Sequence, residues 1–203
     1  MKEKLTLFQR QISWLLPKAF LILALLAFNE THAQPTCTAI ATNFSENFDT
    51  TPTGGTTNPS VPDCWSYIDN MSTTGYGYTA SSTTTVISPP NFFRFYRMCS
   101  TANVNEDLTL VSPETVNLGN GTKQVRFYAR GNSATVTSIL EVVRLNGNTS
   151  AATATVLATF NITGTSYSEY IVPLPATTDD YFGFRVPHNG SATTNYPYAF
   201  IDD

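Results

Sequence analysis

The sequence predicts an all-β chain, an antiparallel two-sheet sandwich, and three observations carry that reading. Apolar side chains alternate with polar ones in short runs, most plainly in Lys123-Gln124-Val125-Arg126-Phe127-Tyr128-Ala129-Arg130, where Val125, Phe127 and Ala129 share a face. Period two is the mark of a half-buried strand. Turn-forming clusters punctuate these runs, among them Thr51-Pro52-Thr53-Gly54-Gly55, Ser88-Pro89-Pro90, Leu118-Gly119-Asn120-Gly121 and Asn146-Gly147-Asn148. Beyond residue 33 the chain is rich in Thr, Ser, Asn, Tyr and Phe, types that suit a pleated surface better than a helix. Many short strands joined by polar turns build a sandwich.

The first 33 residues belong to a different device. Lys2, Lys4, Arg10 and Lys18 flank the apolar run Ala19-Phe20-Leu21-Ile22-Leu23-Ala24-Leu25-Leu26-Ala27-Phe28, and Thr31-His32-Ala33 follows. A basic start, a short apolar core and a small-x-small site describe a secretory signal peptide, residues 1–33, with the exported chain starting at Gln34. The apolar core is shorter than the ~20 residues that cross a bilayer, and no second such stretch follows. The exported chain is therefore expected to be secreted or displayed at the cell surface, with no membrane span. The residues before Cys37 do not form a lipobox-like motif, which argues against a lipid anchor there.

In chain order, strands are expected at residues 44–49, 64–68, 92–96, 108–111, 123–130, 139–145, 156–162, 170–174 and 181–186, and finally in Tyr198-Ala199-Phe200-Ile201-Asp202-Asp203. Residues 71–85 are dominated by Thr and Ser, but Gly75-Tyr76-Gly77-Tyr78 marks an ordered loop, since tyrosines are out of place in a purely solvated linker. Trp65, Phe127, Phe184 and Phe200 are assigned to the interior because large aromatics dominate sandwich cores.

Removing residues 1–33 leaves seven basic and thirteen acidic residues, a net charge of −6, with Lys123 as the single lysine. An acidic body with scattered arginines has no stripe to track phosphates, which excludes nucleic acid as an expected partner. Cys37, Cys64 and Cys99 all enter an oxidising compartment, where one disulfide and one spare thiol are the arithmetic outcome. Three pairings are open; Cys64 with Cys99 is favoured, because both sit in the strand-rich body while Cys37 lies near the new terminus.

The two acidic-aromatic end segments suggest a metal site. If the first and last strands lie side by side, Glu46 and Asp49 meet Asp202 or Asp203, and a hard cation relieves their repulsion. Calcium is the expected structural ion, completed by main-chain carbonyls to its ~6–8 oxygen ligands. The competing reading is a set of solvated strand-end acids, and alternation allows only one of Asp202 and Asp203 on a given face. Tyr76 and Tyr78, one residue apart in their glycine-rich segment, are the expected ligand contacts. Arg94, Arg97, Arg126 and Arg130 read either as a clamp for an acidic partner or as a solvated, edge-protecting face.

The ordered motifs Phe44-Ser45-Glu46-Asn47-Phe48-Asp49, Val61-Pro62-Asp63-Cys64-Trp65, Leu108-Thr109-Leu110-Val111-Ser112-Pro113, Val125-Arg126-Phe127-Tyr128-Ala129, Tyr181-Phe182-Gly183-Phe184-Arg185 and Phe200-Ile201-Asp202-Asp203 resemble the MAM-like and cleaved-adhesin jelly-roll domains of secreted Bacteroidetes proteins. The resemblance spans nearly all of residues 34–203. It implies a concanavalin A-like jelly roll, often calcium-bearing, set beside other modules in a longer multidomain protein. It also implies an N-terminal fragment, since such domains usually continue past the Ile-Asp-Asp strand.

Catalytic motifs are missing. There is no Gly-x-Ser-x-Gly elbow, no His-Glu-x-x-His and no phosphate-cradling glycine loop, and His188 is the lone histidine after residue 33, in a turn. Glu141 and Glu169 are the carboxylates that a sandwich glycosidase would need to oppose across a cleft. The expected function is a non-catalytic adhesion or accessory module recognising extracellular glycans or proteins. The alternative is part of a secreted protease or glycosidase whose catalytic domain lies elsewhere.

Overall fold

The computed structural model describes residues 36–71, 75–97, 106–187 and 197–203. The expected signal peptide at residues 1–33, Cys99, His188 and Tyr196 lie outside the described residues. Ten strands follow the alternating runs: β1 Ser66–Asp69, β2 Gly75–Ser81, β3 Asn91–Arg97, β4 Asp107–Val111, β5 Lys123–Arg130, β6 Ser138–Leu145, β7 Ala154–Ile162, β8 Ser168–Leu174, β9 Tyr181–Pro187 and β10 Tyr198–Asp202. A single 3-10 turn, Leu118–Asn120, is the helical piece among them.

The strands form two five-stranded antiparallel sheets, ordered β1-β4-β9-β6-β7 and β2-β3-β10-β5-β8. This is the expected all-β jelly-roll sandwich. Alternation places Phe93, Phe95, Leu108, Leu110, Phe127, Leu140, Val142, Phe184, Ala199 and Ile201 between the sheets. Each large buried apolar side chain contributes roughly 1.5–3 kcal/mol. Trp65 joins this core edge-on to Phe182. Phe200 is also buried, but on the outer face of its sheet, where the Arg130 guanidinium lies 4.1 Å from its ring centroid.

Three expectations change. Tyr76 and Tyr78 stand on a strand, not in a loop: β2 pairs with β3 along its whole length. A Cβ at Gly77 would stand 2.6 Å from Tyr67 Cε2 and 3.1 Å from the Phe93 ring. Packing under those rings requires the glycine that made the segment look like a loop.

Second, residues 44–49 form no strand and pair with nothing in β10. Glu46 Oε1 accepts the Phe48 N–H, Asn47 Oδ1 accepts the Asp49 N–H, and Phe48 has φ 62°. Such local side-chain bonds satisfy the main chain that a strand would otherwise pair.

Third, the disulfide joins Cys37 to Cys64, not Cys64 to Cys99. The Ile40 N–H donates to the Glu114 carbonyl and its carbonyl accepts from Val116, so the stretch at Cys37 is held rather than loose. Cys64, at φ 68° in a turn closed by Trp65 N–H on the Pro62 carbonyl, faces Cys37 with a Cα separation of 5.4 Å, within the usual span.

Candidate functional site

The outer face of the β2-β3-β10-β5-β8 sheet concentrates aromatic rings and arginines. Registers Tyr76↔Tyr96 and Tyr198↔Tyr96 line up one cross-strand row; Tyr78↔Arg94, Phe200↔Arg94 and Phe200↔Arg130 line up the next. Directly opposed residues share a face and touch. Ring centroids stand 4.6 Å apart for Tyr76 and Tyr96 and 4.8 Å for Tyr96 and Tyr198. Tyr78 stacks on Tyr76 at 5.6 Å, and Tyr198 on Phe200 at 5.8 Å.

Arg94 ties the rows together. Its guanidinium lies 4.9 Å from the Tyr198 ring centroid, 5.1 Å from Tyr78 and 5.8 Å from Tyr76, a cation held over π faces. Its Nε is buried without a hydrogen-bond partner among the described residues. Tyr76, Tyr78, Arg94, Tyr96 and Tyr198 are all half-buried: fixed by their neighbours, yet open on one side. Burial and a hydrogen bond with Tyr198 push the Tyr76 hydroxyl up to about 12, so it stays a neutral donor and acceptor. Flat rings beside guanidinium donors suit the apolar faces of sugar rings with their hydroxyl and carboxylate edges. The same surface also suits packing against a protein.

A loop over residues 82–90 borders this face. Asp202 anchors it, with Oδ2 accepting Ile87 N–H at 2.7 Å and Ser88 N–H at 3.3 Å, while Ser88 Oγ donates to Asp202 Oδ1. Burial pushes the Asp202 carboxyl up to about 6, although the Ile87 and Ser88 N–H groups pull the other way. Arg130 reaches the same loop through Thr85 Oγ1.

The four acids read as metal donors fall into two groups. Glu46 and Asp49 sit together, and burial raises the Glu46 pKa with Asp49 and Asp63 adding to the rise; Asp49 Oδ1 accepts the Asn91 N–H. Asp202 and Asp203 sit together at the end of β10, both within reach of Ser88 Oγ. Glu46 and Asp203 line the same cleft, of about 750 Å³. Among the described residues no group of three or more His, Cys, Asp or Glu side chains could hold a metal ion.

The remaining charged candidates are paired. Glu141 accepts from Arg185 at 2.8 and 2.7 Å, with Asp107 3.6 Å from the same guanidinium. Glu169 pairs with Arg126 at 3.1 Å. Glu141 belongs to one sheet and Glu169 to the other, on outward-facing positions, so no cleft lies between them. Arg97 follows Phe93 and Phe95 inward and is 1% exposed; it is no part of a solvated face. The signal that would have found the aromatic face is the i, i+2 spacing of Tyr76 with Tyr78, Arg94 with Tyr96 and Tyr198 with Phe200.

Two crystal structures of cleaved adhesin domains of Lys-gingipain superpose on most of this chain. The K1 domain, from Porphyromonas gingivalis W83, gives a TM-score of 0.58 at 20% identity over 80% of this chain and 95% of that one. The K2 domain gives 0.57 at 20% identity over 79% and 94%. The fold is that of a cleaved-adhesin domain. A carbohydrate-binding module of the β-sandwich superfamily, from a study of promiscuous specificity, gives 0.50 at 12% identity over 81% of this chain and 62% of that one. No family model and no curated protein matches the sequence.

Proposed function

We propose that the protein is a secreted or cell-surface binding module that recognises glycans, without turnover, through the outer face of its β2-β3-β10-β5-β8 sheet. The observation that carries this reading is the continuous half-open surface of Tyr76, Tyr78, Tyr96 and Tyr198 with Arg94 at its centre. The likeness of its sandwich to an adhesin domain and a carbohydrate-binding module supports it. An extracellular protein partner is the second occupant that such a face fits, and service to a hydrolase domain elsewhere in a longer protein is compatible with either.

A glycan array and a panel of matrix proteins, run beside a hydrolase screen, test the reading. Loss of one aromatic anchor typically costs about 2 kcal/mol or more of binding, so Tyr78→Ala is expected to weaken a glycan hit at least about tenfold with the fold intact. Turnover that disappears on replacing Glu141 or Glu169 would overturn it.

We also propose calcium as a structural ion between Glu46 with Asp49 on one side and Asp202 or Asp203 on the other. Its support is the cleft that Glu46 and Asp203 share. The carbonyls of residues 42–47, which make no main-chain to main-chain bond among the described residues, are further oxygen donors.

A further inference from the structure

The described arginines are not alike. Arg126 is paired with Glu169, Arg144 with Asp179, and Arg185 with Glu141 and Asp107. Arg130 commits its fork to the Gly131 carbonyl and Thr85 Oγ1, and Arg97 is buried. Arg94 differs from all of these. Among the described residues it meets no carboxylate and no carbonyl; the rings of Tyr76, Tyr78 and Tyr198 surround its guanidinium instead.

Its Nε is buried while the residue as a whole is half-buried, so the part that meets solvent is the far end of the fork. A π face attracts a cation but does not satisfy five N–H donors, and those left over are open to a ligand. The tyrosines add to the same polarity. Tyr76 and Tyr96 stack at 4.6 Å with planes 22° apart, close to the ~4.8 Å spacing of strands, so their faces cover each other and their edges and hydroxyls turn outward. The edge is the positive part of an aromatic ring, and a neutral phenol is a donor. The acids of this face do not answer them: Glu169 is held by Arg126, and the Asp202 carboxylate by the Ile87 and Ser88 N–H groups.

We propose that the face takes acidic polysaccharides built from uronic acids, with one ring carboxylate seated on Arg94 between Tyr78 and Tyr198 and the sugar rings following the row of Tyr76, Tyr96 and Tyr198. The proposal rests on the glycan-binding reading of this face and names the class of glycan. A planar carboxylate matches the planar guanidinium fork through two parallel bonds. A row across three strands spans about 10 Å, which suits linked rings better than a single small anion. A uronic sugar also carries hydroxyls beside its carboxylate to meet the tyrosine hydroxyls, which an acidic peptide lacks. With a net charge of −6 over residues 34–203, the rest of the chain repels a polyanion, so preference for the acid is concentrated at Arg94.

The test measures binding of the full chain to oligosaccharides of galacturonan, alginate, hyaluronan and glucuronoxylan, each beside the same oligosaccharide with its carboxyls reduced to primary alcohols. Poly-glutamate and dextran sulfate are run in parallel. At least one uronate is expected to bind about tenfold or more tighter than its reduced counterpart, a ratio that shrinks as salt rises. Arg94→Gln is expected to erase the ratio, and Arg94→Lys, which keeps the charge and loses the fork, to keep only part of it. Should Arg94→Gln fail to fold, the acid and reduced pairs on the parent chain decide alone. Reduced forms that bind as well as the acids overturn this proposal and leave the glycan reading standing; silence of every acidic and neutral sugar overturns both. Poly-glutamate or dextran sulfate binding as tightly as the uronate, with the same dependence on Arg94, overturns the assignment to uronic acids.

Discussion

Ile87 donates its N–H to the Asp202 carboxylate at 2.7 Å across 115 residues of sequence, and this bond pins the 82–90 loop to the last strand. Burial raises Asp202 from 3.8 to about 6, so the folded chain binds a proton that the unfolded chain has released in that interval. The stability this contributes is fully present below about pH 4 and is lost as pH rises through 6, a change of about 2–3 kcal/mol from the size of the shift. Asp202→Asn cannot titrate. The melting temperature of the parent minus that of the variant is expected to fall between pH 4 and pH 6.5, and a flat difference would contradict the shift.

The Cys37–Cys64 bond closes a separation of 27 residues, which corresponds to about 3–4 kcal/mol of stabilisation in the chain-entropy account. Cys37→Ser and Cys64→Ser are expected to lower stability by similar amounts, each making the protein insensitive to reductant. Cys99→Ser is expected to leave both melting and the response to reductant unchanged. Denaturant titrations with and without reductant check all three.

Arg185 sits between Glu141 and Asp107 with its side chain 19% exposed. Removing it strands two carboxylates in a mostly buried site. Arg185→Met is expected to cost about 3–5 kcal/mol, the usual penalty for breaking a buried pair. Glu141→Leu combined with Arg185→Met is expected to recover part of that loss, because fewer uncompensated charges remain. A double-mutant cycle by chemical denaturation measures the coupling.

If calcium bridges the end acids, the melting temperature rises with calcium and falls with chelator by mass action. Glu46→Ala is expected to abolish that response. An unchanged calcium response in the variant removes Glu46 from the site, and no response in the parent removes the ion.

Strand content was readable where burial is one-sided. The alternation of Val125, Phe127 and Ala129 marks β5 to the residue, and β9 and β3 differ from expectation by a residue or two at their ends. What escaped was decided by contacts distant in sequence. β2 hid behind Gly77, which is there because Tyr67 and Phe93 leave no room for a side chain. Residues 44–49 carry an alternating pattern, but Glu46 and Asn47 satisfy the nearby main chain themselves. The disulfide followed from where Ile40 docks beside Glu114 and Val116, which no spacing of cysteines encodes. Tyr76 and Tyr78 were legible as a surface pair; their partners Tyr96, Arg94 and Tyr198 were visible singly, and only the sheet order joins them.

That sheet order has a temporal consequence. Tyr76 and Tyr78, Arg94 and Tyr96, and Tyr198 come from the early, middle and final parts of the chain, and β10 slots in between β3 and β5. Contacts so far apart in sequence form slowly. A nascent chain therefore presents no finished aromatic face, which is complete only once β10 has inserted between β3 and β5.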